Sequence, residues 1–183
     1  WRNYLGQAMV IESLLTAELT GYPNEGPNKA GQSPMDLITA WNMCIALLLA
    51  LRHRRKTGKG QWIDHSMFQA CTPLIVGPLM DIQMNDRYPP RMGNHHDFMA
   101  PHNTYRCNGE EQWVTIAVAS DEQFRSLCEA IGQTNLADHP RFIGVSNRQK
   151  NQKELDVIIN RWTGPRDKNE VMKVLQEKGV PCG

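Results

Sequence analysis

The sequence predicts a mixed α/β chain in two parts: a helical region built on one long apolar helix, then a small α+β unit. Three observations predict it. Residues Ser33 to Gln61 carry a start signal, a long apolar middle and a stop signal for one helix over 34–57. Two strand-like segments flank Asn108-Gly109, a strong hairpin signal. Capped or amphipathic helical patterns then follow at 121–131, 147–162 and 167–178. The expected organisation is a region 1–85 holding the long helix, a connecting loop 86–103 and a small α+β domain 104–183. No internal repeat and no low-complexity tract interrupts it.

Taken in order, Ala8, Ile11, Leu14, Leu15 and Leu19 have helical spacing and predict a helix over 7–19. Gly21 to Pro27 is a turn-rich connector. The string Gly26 to Ser33 imitates a phosphate loop, but Gln32 stands where that chemistry needs a lysine. Ser33 is the expected N-cap, and Pro34 suits the first helical position. Asp36 falls in the first turn, where backbone N–H groups lack partners and the helix dipole favours an anion. Trp41 to Leu51 is almost entirely apolar, so the helix is expected to be buried on most sides. Arg52, His53, Arg54, Arg55 and Lys56 crowd its last turns before Gly58.

Beyond it, Gln61 to Asp64 reads as a short strand. Ser66 to Met84 reads as a helix kinked or divided by Pro73 and Pro78. Residues 85–103 form a long loop with three prolines and one glycine, a length that points to function or linkage. Strands are expected at 104–107 and 112–119, followed by a capping box of Ser120 and Gln123 and a stop at Gly132. Gly179 and Pro181 end the last helix.

The bulk numbers narrow the function classes. The 183 residues, 40% hydrophobic and 21% charged, are those of an ordinary globular chain. Twenty basic and 19 acidic side chains give a net charge of +1, which offers no electrostatic case for nucleic acid or an anionic membrane as a partner. The longest uninterrupted apolar run, Cys44 to Leu51, is too short to span a bilayer. Five cysteines without a C-x-x-C pair suggest a reducing, cytoplasmic setting, with Cys44 acting as a small hydrophobe. No stretch of these residues reads as a signal peptide.

Asp36 is the first candidate for chemistry. Spacing alone favours a stabilising acid in a first helical turn; the functional alternative is a carboxylate nucleophile beside N–H groups. His95, His96, Asp97 and His102 form a second cluster. Their spacing is not a standard metal-ligand pattern, so no metal is expected. A loop closing over a substrate is the better functional reading there, with Gly93 and Asn94 allowing close backbone approach. The basic run Arg52 to Lys59 complements a helix C-terminus.

Several motifs, in order along nearly the whole chain, resemble the family III CoA-transferases. They are Asp36 opening an Ala/Leu-rich run to Leu51, Arg54 to Gln61 (RRKTGKGQ), Asp64 to Met67 (DHSM), Gly93 to Gly132, His139 to Leu155 and the closing GVPCG. The resemblance implies a portion of that fold, with the catalytic helix 34–57 and flanking helices of a large domain, then the small domain. The family's N-terminal Rossmann-like region has no counterpart in these residues. It implies transfer of coenzyme A between carboxylic acids through an aspartyl-CoA thioester, with Asp36 as nucleophile and Gly93, Asn94 and His95 in a substrate-covering loop. The implied partners are an acyl-CoA donor and a carboxylic acid acceptor, with no permanently bound cofactor and a homodimeric assembly. Two alternatives stand beside it. One is an acyl-CoA racemase of the same superfamily, against which stands the lack of any histidine before Asp36. The other is a non-catalytic module that keeps the fold.

Overall fold

A computed structural model describes residues 19–28 and 34–183. The helix expected at 7–19 and the Ser33 cap lie outside the described residues. The chain forms two compact units, Trp1–Gly93 and Asn94–Gly183.

The first unit is helical where described. Helix α1 spans Pro34–Thr57, about 36 Å at 1.5 Å per residue. It begins with proline, whose missing N–H costs nothing at a helix start. It ends where Gly58 takes φ +73° and its N–H reaches the Arg54 carbonyl at 2.8 Å. Helix α2 (Met67–Cys71), a 3₁₀ turn (Thr72–Ile75) and helix α3 (Val76–Asn85) follow. Pro73 opens the division expected of it, because it sits in the 3₁₀ turn. Pro78 leaves α3 intact, because it lies in the first turn, where N–H groups have no helical acceptor.

Two expectations fail in this unit. Gln61 to Asp64 is not a strand: the segment is extended, Trp62 is 92% exposed, and no described segment pairs with it. A strand needs a neighbour to satisfy its backbone, and local sequence does not supply one. Nor is α1 buried on most sides. Met35 is its one buried residue, while Trp41 and Leu48 are 66% and 67% exposed. Its apolar side chains run right around the cylinder, and among the described residues α2 packs against its first turns only, through a small cluster of Met35, Ile38, Met67 and Cys71. Cys44, expected to act as a small hydrophobe, is exposed with them. By length and composition alone α1 passes as a membrane span, a test that the core helix of a globular protein passes as well.

The second unit has a core of its own. Strands β1 (His102–Arg106) and β2 (Trp113–Ala117) pair antiparallel, with Tyr105 opposite Val114. The last residues add a short third run on the far edge of β2, through the bridge Ile116–Cys182 and two bonds between Thr115 and Gly183. That pairing was not expected from Gly179 and Pro181, which signal only the end of a helix. Helices α4 (Asp121–Ala130), α6 (Gln152–Thr163) and α7 (Lys168–Glu177) pack over one face of the sheet, and the short helix α5 (Val145–Lys150) leads into α6. Tyr105, Val114, Ile116, Phe124, Leu127, Phe142, Leu155, Ile159, Val171 and Leu175 are all buried there.

Local signals place these elements well, with two differences. The Ser120 hydroxyl accepts from the Gln123 N–H at 3.2 Å, while the Gln123 side chain accepts from the Ala119 N–H at 2.8 Å, a capping box displaced by one residue. The first difference is the hairpin. It does not turn on Asn108-Gly109 alone: Cys107 and Gln112 close a longer loop in which Gly109 and Glu111 take positive φ, and the Asn108 N–H is drawn to Arg166. The second is the helix expected at 147–162, which is two helices. Asn151 breaks it at φ −110°, ψ 20°, and its side chain bonds the carbonyls of Arg141 (3.0 Å) and Asn147 (2.9 Å).

Candidate functional site

The exposed edge of β1 sets up the chemistry of the second unit. A sheet edge leaves backbone groups without partners. Here α6 supplies them from one polar stripe. Gln152 donates to the His102 carbonyl, Asn160 accepts from the Arg106 N–H, and Thr163 donates to the Arg106 carbonyl at 2.8 Å. Gln152, Asp156, Asn160 and Thr163 are spaced by four, four and three residues, one face of a helix.

Asp156, in the middle of that stripe, takes three donors. The Tyr105 hydroxyl donates to it at 2.7 Å, the Asn103 amide at 3.0 Å and the His95 Nε2 at 3.2 Å. Burial of the Tyr105 hydroxyl, and then the adjacent Asp156 charge, push its pKa well above the usual tyrosine range. This node was not expected from the sequence. The available signal was Tyr105 on the inward face of a strand, since a buried tyrosine hydroxyl requires a partner.

His95 and Asn94 belong to the same constellation. The Asn94 carbonyl accepts from His102 Nδ1, and Gln149 of α5 donates to the carbonyls of His96 and Asp97. The His96 and His102 rings lie 5.2 Å apart. Among the described residues no group of three or more His, Cys, Asp or Glu side chains could hold a metal ion.

The other two expected site residues lie in the first unit. Asp36 is exposed in the first turn of α1. That turn is anchored from beneath: Met35 is buried, its carbonyl accepts from Thr39 at 2.7 Å, and His65 Nε2 reaches the Thr39 carbonyl at 3.1 Å. An accessible carboxylate therefore stands on an anchored helix N-terminus, where the dipole and the N–H groups of the first turn favour negative charge. Gly93 takes φ +60°, and its N–H donates to the Gly21 carbonyl at 2.9 Å. A Cβ there would lie 2.6 Å from the Tyr22 ring, so a side chain at this position would have to displace that ring and adopt a strained backbone.

A second feature of the second unit is Arg148, 1% exposed. It braces three segments, donating to the carbonyls of Ala100 (2.7 Å) and Phe142 (3.2 Å) and to Asp121 (2.6 Å). Its guanidinium also lies 4.7 Å from the Phe124 ring centre. A groove of about 500 Å³ runs beside it, lined by Ser120, Asp121, Gly144, Ser146 and Asn147 among others. None of the four expected site residues lines it.

The sequence profile of CoA-transferase family III matches residues 1–183. The chain belongs to that family. It is 31% identical over 165 residues to a succinyl-CoA–D-citramalate CoA-transferase of Chloroflexus aurantiacus, covering 90% of this chain and 41% of that protein. It is 30% identical over 165 residues to an acetyl-CoA:oxalate CoA-transferase of Acetobacter aceti, covering 90% and 42%. A crystal structure of a CAIB/BAIF family protein from Brucella suis superposes with a TM-score of 0.82 at 30% identity, over 98% of this chain and 47% of that one. The chain thus spans less than half the length of these relatives and carries a portion of the family III fold. That superposition leaves almost none of this chain out.

Proposed function

We propose that this chain carries the nucleophile of a CoA-transferase, and that Asp36 is that nucleophile. The reading rests on one observation above the others: Asp36, the acid to which the family resemblance points, stands exposed on an anchored helix N-terminus. The reaction follows from carboxylate chemistry. An Asp36 oxygen attacks the donor thioester carbonyl, the C–S bond breaks, and CoA leaves as thiolate with a mixed anhydride on Asp36. The thiolate attacks the Asp36 carbonyl, forming an aspartyl-CoA thioester and releasing the donor acid. The acceptor carboxylate then attacks that thioester and releases thiolate again. The thiolate takes the acceptor acyl group and regenerates Asp36. These steps balance without a net proton or electron.

N–H groups at the α1 terminus stabilise the negative charge that develops on the attacked oxygens. Gly93, Asn94 and His95 serve to shield the intermediate from water, in keeping with the unsubstituted backbone at Gly93 and the tied-down carbonyl at Asn94. The relatives named above act on citramalate or oxalate, both dicarboxylic acids, and a dicarboxylic acid is the substrate class we assign. The setting is cytoplasmic and the assembly a homodimer; five free cysteines accord with the former.

The test is intact mass. The chain is incubated with succinyl-CoA and quenched, with Asp36→Asn in parallel. A covalent CoA adduct absent from the variant is the expected result. A folded chain that forms no adduct, or an adduct equally present in Asp36→Asn, overturns the assignment.

A further inference from the structure

We propose that Asp156 is a positioning residue that, through the His95 imidazole, fixes the segment Asn94–Phe98 and sets the tautomer of that ring. An ionised carboxylate only accepts hydrogen bonds, so the nitrogen facing it, Nε2, carries the proton. In the neutral ring, Nδ1 is then the acceptor. Asp156 suits this task because it is itself immobilised. Its side chain is 14% exposed, its Oδ1 is held by Tyr105 and its Oδ2 by Asn103. His95, 34% exposed, reaches further toward solvent than the buried Tyr105.

The rest of the segment is held from two other elements. Gln149 of α5 takes the His96 and Asp97 carbonyls, and His102 of β1 takes the Asn94 carbonyl. The Phe98 N–H turns back to His96 Nδ1 at 3.0 Å. Within Asn94–Phe98, His95 carries a side-chain hydrogen bond to an anion. A purely structural Asp156, present to satisfy Tyr105 and Asn103, has no need of the histidine. What fixing the segment does for chemistry rests on the shielding role proposed above.

The experiment uses the whole 183-residue chain. In His95→Ala, amide exchange across Asn94–Phe98 is expected to quicken about tenfold, the size of one lost charge-assisted hydrogen bond. His95→Gln, whose amide N–H still reaches a carboxylate, should stay within about twofold of the wild type on the same grounds. Unchanged exchange in His95→Ala overturns the proposal. Nitrogen NMR gives a second readout, independent of stability. The neutral His95 ring should be the Nε2–H tautomer in the wild type and lose that preference in Asp156→Asn; a wild-type Nδ1–H ring overturns the proposal.

A third arm follows the Asp36 adduct, which should hydrolyse faster in His95→Ala than in His95→Gln. Equal lifetimes remove the shielding consequence. If the wild type forms no adduct, the transferase assignment fails, while exchange and tautomer still decide the role of Asp156.

Discussion

Helices α1 and α6 treat their apolar residues in opposite ways. On α6, Leu155 and Ile159 are buried on one face, the polar stripe from Gln152 to Thr163 meets a strand edge on another, and Val157 lies exposed on a third. On α1 the apolar residues are spread around the cylinder, and most of them are exposed. The difference teaches that hydropathy measures how much apolar surface a helix carries, whereas amphipathic periodicity says which side is covered by its own unit. A helix with the first signal and not the second owes its cover to residues beyond its neighbours in sequence. In this family portion, α6 completes a core and α1 presents an end, the exposed Asp36 turn anchored by Met35.

The largest effect should come from truncating one leucine on each helix. Leu155, 1% exposed in the core of the second unit, should cost about 2–5 kcal/mol as Leu155→Ala. Leu48, 67% exposed, should cost no more than about 0.5 kcal/mol as Leu48→Ala. Urea unfolding, read from the β2 amides for Leu155→Ala and from the α1 amides for Leu48→Ala, measures both. A Leu48→Ala loss as large as that of Leu155→Ala breaks the comparison.

The next effect appears at alkaline pH and separates the same regions. Burial pushes the Cys128 thiol up to about 12 and the Cys182 thiol up to about 11, from an unfolded value of 9.0. Above pH 9 the unfolded chain loses these protons while the folded chain keeps them. Stability of the second unit is therefore full below pH 9, falls as pH rises, and has lost these contributions by about pH 12. Burial of Tyr105 acts in the same direction. Urea midpoints across this range should decline, less steeply in Cys128→Ala. Cys44, exposed on α1, should be alkylated well before the four buried thiols. Simultaneous modification of all five removes the distinction.

How much was legible in the sequence follows from the range of the interactions concerned. Helices α4 and α7 and the limits of α1 are set within a few residues, by Ser120, Asp167, Pro34 and Gly58, and such signals can be read locally. The break at Asn151 depends on a bond to Arg141, ten residues away, and was read as continuous helix. The pairing of Cys182 with Ile116 and the donors gathered on Asp156 span 50 residues or more, which periodicity does not encode. Of the candidate site residues, the place of Asp36 at a helix start was legible locally, while its role came only from the family resemblance. Asp156 was not, because its reason for being there is a strand edge.

The smallest effect tests that locality directly, with one serine from each unit. Ser120 and Ser66 both precede helices in extended backbone, yet only Ser120 makes a side-chain cap bond, to the Gln123 N–H. Ser120→Ala should cost about 1 kcal/mol of second-unit stability. Ser66→Ala, with no cap bond to lose, should lie within about 0.5 kcal/mol of the wild type. Thermal melts of the two variants decide it. Equal losses mean that α2 is held by the Ser66 hydroxyl after all. A null result for Ser120→Ala means that the Gln123 side chain, bonded to Ala119, carries the cap alone. The expected pattern, a cost in one unit and none in the other, ties the order of the second unit to its local chemistry and leaves the α1–α2 end held by packing around Met35 and Cys71.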